Sequence, residues 1–379
     1  MKLELRRPAW LAISALLLAS LLLAGIGGPA AATPPKPVLS GENGGVITSE
    51  RDGVDVTAAR PWTEAEMRAA KPYPLPEVEA KALTEAIENI EKELAAGPAG
   101  AIPGALPRGE PAPSGTGTQL LNIEPGVGLT GYGYPPPYTR FQVFTGIAAP
   151  DTYTLGPYVT VGKLFFKQRG SSYVCSAASI RRYAIWTAGH CVHDGRNSSA
   201  GWSTDVVFVP AYLNNSRPRQ TWSAKTVATS TYWYSRGNPN GLRYDFGAAG
   251  LLKNGSSGIG DIVGYLGFAW DWGYEQHWND FGYPAQSPFN GETMHTCQAS
   301  YAYSLSYGNI GPTTQAIGCD MTGGCSGGPW ILQFGTNNYL NGDNSYRRSG
   351  YSKELNSPHF TSGTGSAKVL FDWAAAFVP

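Results

Sequence analysis

The stretch Gly323-Gly324-Cys325-Ser326-Gly327-Gly328-Pro329 has the composition of a serine nucleophile set in its own oxyanion-binding turn. A serine hydroxyl attacks poorly at neutral pH unless a neighbouring base takes its proton and donors receive the charge that forms. Glycines on both sides allow a sharp turn and leave room for a carbonyl group. With glycine two places before the serine, the amides of Gly324 and Ser326 can aim at one oxygen, each such donor being worth about 100- to 1000-fold in rate. A base stands upstream in Thr187-Ala188-Gly189-His190-Cys191, where His190 follows the apolar run Tyr183-Ala184-Ile185-Trp186. Cys175 lies earlier in the chain, and a Cys175–Cys191 bridge would staple the loop presenting the imidazole, contributing about 3 kcal/mol for a loop of that size. Between histidine and serine, Arg243-Tyr244-Asp245-Phe246-Gly247-Ala248 places a carboxylate at the start of an apolar strand-like run. There it could hold the imidazole in one tautomer and stabilise the imidazolium. Asp194, Asp205 and Asp261 are other aspartates in the interval. Asp194 is too close to His190 in a polar loop, and the other two lack an aromatic-flanked strand start.

These groups need a rigid β framework, and the composition is consistent with one. The 379 residues are 42% hydrophobic and only 15% charged, enough to bury one large core or two modest ones. Strand-like runs at Tyr158–Phe166, Tyr183–Thr187, Val206–Val209 and Trp330–Phe334 are separated by Gly, Asn, Ser and Pro clusters. Val369, Leu370, Trp373 and Phe377 recur at helical spacing and predict a short C-terminal helix packed on the second half of the fold.

The order His190, Asp245, Ser326, in the motifs T-A-G-H-C, Y-D-F-G and G-G-C-S-G-G-P, resembles the trypsin/chymotrypsin superfamily of serine endopeptidases. Within it, Cys319-Asp320-Met321-Thr322-Gly323-Gly324 is most similar to the bacterial glutamyl-endopeptidase branch. The resemblance covers residues 139–379 and implies an all-β fold of two antiparallel six-stranded β-barrels with the site in the cleft between them. It also bears on the pocket. Asp320 stands where trypsins place the aspartate that binds Lys or Arg, yet the glutamyl branch shows Cys-Asp there too, without that preference. The segment Asn341–Arg348 would supply another pocket wall, with Ser345 near the aspartate of the triad, Arg347 able to face an acidic side chain and His295 a possible helper. Acidic preference leads and basic preference follows closely.

Five cysteines in an exported chain leave one unpaired. Cys297–Cys319 is the expected second bridge, with Cys297–Cys325 and Cys319–Cys325 as alternatives. The first of these leaves Cys325 free beside Ser326. In animal trypsins that place holds an aspartate that pairs with the new N-terminus, an ion pair cysteine cannot make. A thiol nucleophile would follow G-x-C-G-G, which needs glycine at 326.

Lys2, Arg6 and Arg7 precede an apolar segment from Ala9 to Ile26, and Ala30-Ala31-Ala32 offers a cleavage site, so residues 1–32 are expected to be a signal peptide. Residues 33–138 are expected to be a propeptide and linker. Val78, Leu83, Ile87, Ile90 and Leu94 have near-helical spacing, and nearly half of residues 97–137 are Gly or Pro, a composition that resists independent folding. Residues 33–138 carry 8 basic and 14 acidic side chains and residues 139–379 carry 17 and 13, so an acidic propeptide would cover or chaperone a mildly basic catalytic domain.

The expected protein is therefore a secreted, monomeric serine endopeptidase acting on polypeptides, with its own propeptide as intramolecular partner. No metal or organic cofactor, nucleic acid, or membrane contact after signal removal is called for. The competing class is a catalytically inactive binding protein on the same fold. An esterase would place its serine in a G-x-S-x-G elbow, with the triad in the order serine, acid, histidine.

Overall fold

Strands whose residues are buried on both faces build the first half of the molecule. The computed structural model describes residues 45–79, 84–85, 99–108, 132–143, 152–306 and 311–379; the expected signal segment and Leu83, Ile87, Ile90 and Leu94 lie outside them. The first barrel consists of β1 (Val161–Gln168), β2 (Ser171–Arg181), β3 (Ala184–Thr187), β4 (Thr204–Pro210), β5 (Trp222–Ser230) and β6 (Gly247–Leu251). Antiparallel pairing runs β5–β4–β1–β2–β3–β6 and closes where β6 pairs with β5. Closure brings backbones close together: a Cβ on Gly162 would lie 2.4 Å from the Val209 carbonyl oxygen.

The second half is made of β7 (Gly267–Trp270), β8 (His277–Gly282), β9 (His295–Ser306), β10 (Thr314–Gly318), β11 (Pro329–Leu332), β12 (Tyr339–Asp343) and β13 (Glu354–Pro358). The order is β13–β10–β9–β8–β11–β12–β7. The chain just beyond β12 returns to β13: Ser345 N–H donates to the Asn356 carbonyl (3.0 Å) and Asn356 N–H to that of Tyr346 (2.9 Å). Six strands thus form a ring, as expected, and β7 is an addition that runs parallel to β12.

Trp186, fully buried on β3, ties the halves together. Its ring lies 5.3 Å from Phe268 and 5.1 Å from Phe360, and its indole N–H donates to Asp343 at 2.8 Å. A buried tryptophan needs such an acceptor, because an unmet indole N–H is costly.

The C-terminal helix, Ala367–Ala376, is capped by the Ser366 hydroxyl, which accepts from Val369 N–H. It does not rest on the second half alone. Phe371 stacks on Phe268 of β7 (4.2 Å), while the ring of Phe377, just beyond the helix, fills the space a Cβ of Gly250 on β6 would need. Glycine at 250 gives that ring a seat on the first barrel.

Much of the described chain before residue 139 also joins these sheets. Val46–Thr48 pairs antiparallel with β5, Gly100–Ile102 with β7, and Thr84–Glu85 with β9. The Gly/Pro-rich composition leaves residues 100–102 without a core of their own, and they gain order from the edge of a finished sheet instead. Val78, expected on a helix, is extended beside Arg348; the only helix in residues 45–79 is Glu64–Ala69, started by a Thr63/Glu66 capping box.

Both expected disulfides are present, Cys175–Cys191 closing a separation of 16 residues and Cys297–Cys319 one of 22. Replacing Cys175 and Cys191 together by alanine is expected to lower unfolding stability by about 2–4 kcal/mol. A lower stability extrapolated to zero urea, with the slope fitted separately for each form, checks this.

Candidate active site

Strand β3 delivers His190 directly. After Thr187 the chain enters a single helical turn, Gly189–Val192, whose start at Ala188 leaves the His190 backbone N–H free for an outside acceptor. That acceptor is Asp245, which stands where a short 3₁₀ turn, Leu242–Tyr244, leads into β6. One carboxylate oxygen accepts from His190 N–H (2.7 Å), and the other lies 2.8 Å from His190 Nδ1 and accepts from Ser345 Oγ at 2.6 Å. Gly189 leaves room for this: a Cβ there would be 2.9 Å from Asp245 Oδ1. Asp245 is wholly buried, and its three donors replace the water it lost. With Nδ1 facing a carboxylate, the proton sits on Nδ1 and Nε2 is left as the acceptor.

Ser326 follows the loop from Cys319 and precedes β11. Its carbonyl accepts from Ser176 N–H of β2 (2.7 Å), Gly327 N–H donates to Asn344 (2.8 Å), and Gly328 N–H donates back to Cys325 (2.9 Å). The turn is therefore held from both barrels. Gly324 has φ +97°, a conformation that glycine adopts without strain, and its N–H points into the cleft. Ser326 Oγ and His190 Nε2 are buried and make no hydrogen bond among the described residues. They are the two polar atoms of the cluster that remain available for chemistry.

Cys325 is free and fully buried, and burial, with the Asp280 carboxylate second, pushes its thiol well above the ordinary range. It is a core side chain and a poor thiolate. Burial likewise raises Asp280, opposed by Asn344, and raises Asp343, where the Asp245 carboxylate adds to the effect. Among the described residues, the convergent groups Cys175–His190–Cys191 and Asp280–Cys297–Cys319 each contain a disulfide, so their sulfurs are committed to each other.

The pocket candidates separate in space. Asp320 pairs with Arg140 at 2.8 Å, each about 30% exposed, and Arg140 lies over the Phe289 ring. Ser345 is taken up by Asp245. Arg347 is 8% exposed; its guanidinium donates to the Met321 carbonyl and, at 3.4 Å, to that of Ser352. It thus bridges the segment after β12 and the loop leading to Ser326, and no acidic side chain among the described residues pairs with it. His295 starts β9 behind Arg140, with Nε2 3.2 Å from Thr293 Oγ1 and its ring edge-on to Phe289. Burial first and the Arg140 charge second lower its pKa to about 4.

Sequence reasoning missed Tyr73. Its ring lies 5.2 Å from that of His190, its hydroxyl donates to Gln168 (2.7 Å), and its carbonyl accepts from Gly324 N–H (3.1 Å). Gln168 in turn donates to the His190 carbonyl (3.2 Å). The readable signal is the alternation Pro72, Pro74, Pro76, which forbids a helix and favours an extended strand.

No family model matches the sequence, and no curated protein does. Solved structures do match. The protease Anisep from Arthrobacter nicotinovorans is 34% identical, with 58% of this chain aligned to 96% of that one at a TM-score of 0.51. A thermostable serine protease, AL20, from an extremophilic microorganism is 31% identical, over 58% of this chain and 98% of that one, also at 0.51. A Glu endopeptidase structure aligns at 18% identity and a TM-score of 0.45, too remote to assign the branch.

His295 yields a pH prediction. Its folded pKa of about 4 lies below the ordinary 6.5, so the folded state holds fewer protons there than the unfolded chain. The resulting stability is full above pH 6.5 and is lost as pH falls through 4. His295→Gln is expected to flatten that decline, as read from urea midpoints across the interval.

Proposed function

Because the chain belongs to the trypsin-like serine proteases, we propose that Ser326, His190 and Asp245 are the triad of a secreted endopeptidase with acidic preference at the residue before the cut. The observation that carries the chemistry is the buried pair His190 Nδ1–Asp245 Oδ2 at 2.8 Å, with His190 Nε2 and Ser326 Oγ both buried and without a hydrogen bond among the described residues. Ser326 Oγ attacks the peptide carbonyl while His190 Nε2 accepts its proton. Asp245 holds the imidazole and offsets the charge it gains. The oxyanion is received by the amides of Gly324 and Ser326, His190 returns the proton to the leaving amine, and water then releases the acyl group by the same route.

The acidic preference rests on charge. A substrate carbonyl seated at Gly324 would lie beside the loop 319–323, which Arg347 joins through its bond to the Met321 carbonyl. Asp320 has its charge balanced by Arg140, which removes the group a basic side chain would need. Arg347 contributes a buried, unneutralised guanidinium at that loop, and a carboxylate there would supply the missing partner. The two disulfides, a feature of oxidising compartments, and the apolar run behind Lys2, Arg6 and Arg7 support residues 1–32 as an export signal. Residues 33–138 are then a segment made with the enzyme and removed.

Cleavage of a mixed-sequence peptide library by the secreted protein tests both parts. Ser326→Ala is expected to lower turnover by about a millionfold, and cuts are expected after Glu or Asp. Arg347→Gln is expected to lower kcat/KM for acidic substrates by about 10- to 100-fold. Cuts after Lys or Arg would overturn the acidic reading and leave the triad standing.

A further inference from the structure

Residues 71–78, Lys-Pro-Tyr-Pro-Leu-Pro-Glu-Val, cross the cleft from one barrel to the other. Lys71 and Pro72 pair in parallel with Tyr173 and Val174, and Tyr73 N–H donates to the Val174 carbonyl (3.0 Å). The Tyr73 carbonyl then accepts from Gly324. Leu75, 8% exposed, joins the core cluster that includes Cys319 and Met321. Arg347 N–H donates to the Pro76 carbonyl (3.1 Å) and Ser349 N–H to that of Val78 (2.9 Å), again in parallel register. His190 and Ser326 are buried, with the Tyr73 ring 5.2 Å from that of His190, and the segment is anchored upstream by Trp62, whose indole N–H donates to the Asp205 carbonyl (2.9 Å) and whose ring meets Phe165.

We propose that the cleft is a binding site for an extended, proline-alternating peptide laid in the direction opposite to a substrate, and that residues 71–78 occupy it as an inhibitor the enzyme cannot cut. This rests on the triad reading above. A cleavable peptide must put its leaving nitrogen on the His190 side, because His190 returns a proton to that atom. Val174 and His190 mark that side, each next to one half of the Cys175–Cys191 bridge. The C-terminal half of a substrate therefore departs along Val174, and its N-terminal half rests along 345–349. In the strap it is the N-terminal half that lies at Val174, and the chain runs on toward Arg347 and Ser349. The Tyr73 carbonyl sits at the Gly324 amide, as a scissile carbonyl would, but the atom that would have to leave, Pro74 N, is carried away from His190. The tyrosine ring covers His190 instead. Proline at 72, 74 and 76 removes three N–H donors and fixes the extended form, lowering the entropy cost of holding it. Because strap and cleft share one chain, the strap competes at high effective concentration until the chain is cut elsewhere.

The test uses the full, unprocessed chain and a small serine-directed phosphonate that labels Ser326. Labelling of the intact chain is expected to be slow, and Tyr73→Ala with Leu75→Ala to speed it by at least about tenfold. Equal rates would overturn the inhibitory role. Direction is read separately by mass spectrometry on a Pro72→Ala, Pro74→Ala, Pro76→Ala chain. A reversed strap stays uncut between residues 71 and 78, whereas cleavage there would show that it lies as a substrate and sink the proposal. If Ser326 fails to label in every form, including a chain cut after residue 138, the triad reading fails. Amide exchange in Ser326→Ala then still decides the strap: slow exchange at Tyr73, Arg347 and Ser349 sustains it, and fast exchange overturns it.

Discussion

The site depends on one buried carboxylate and the donors that surround it. Asp245 is fully buried, and a buried carboxylate without hydrogen-bond donors carries a large desolvation cost. Three donors from two parts of the chain offset that cost: the His190 amide, the His190 ring and the Ser345 hydroxyl. Each comes from a different structural requirement. The amide is free because a helical turn begins just before it. The ring is near because β3 pairs with β6, and the hydroxyl is near because the chain after β12 folds back onto β13. Asp343, close enough for its carboxyl to be pushed up partly by Asp245, gives the contrasting case. Its side chain receives the Trp186 indole N–H, and burial favours the neutral acid there.

That dependence explains which parts of the site are legible in the sequence. His190, Asp245 and Ser326 are legible as the proposed base, acid and nucleophile because each role requires one residue type in a narrow local setting, and glycines at 189, 324 and 327 mark where backbone and side chain must crowd together. The strands are legible from their apolar runs, and observed limits such as Ala184–Thr187 differ from the expected ones by only a few residues. The order of strands within each sheet is not, since the family resemblance supplies the two barrels and nothing in a strand's own residues names its neighbour. Thus β7, an extra strand parallel to β12, has no local signature.

Residues 45–79 show the same limit from another direction. The near-helical spacing read in residues 62–96 begins at Val78, which is extended, and the helix that does form, Glu64–Ala69 with its capping box, lies before that spacing starts. Beyond that helix, partners decide the conformation: Lys71–Pro72 and Glu77–Val78 are extended because β2 and the segment after β12 offer edges, which periodicity within the segment does not record. The prolines are a local instruction against a helix, and the spacing of apolar residues that begins with Val78 masks it.

The proposed acidic preference depends on where charges are balanced. Asp320 and Arg140 are both about a third exposed, so their pair adds little to stability, yet it leaves no net charge for a ligand to find. Arg347 is the reverse. It is nearly buried, bonded to carbonyls and not to a carboxylate, and so retains a full charge at a high desolvation cost. Carbonyl dipoles offset part of that cost, and an incoming carboxylate can offset more, which makes binding and charge compensation one event. The strap meets Arg347 at the backbone, where Arg347 N–H donates to the Pro76 carbonyl, and although Glu77 is the register partner of Arg347, no ion pair joins the two among the described residues. A segment that satisfied the charge as well would resemble the preferred substrate and would be harder to displace. Holding the strap by backbone bonds and apolar burial would keep the proposed inhibition separate from the proposed acidic selectivity at Arg347.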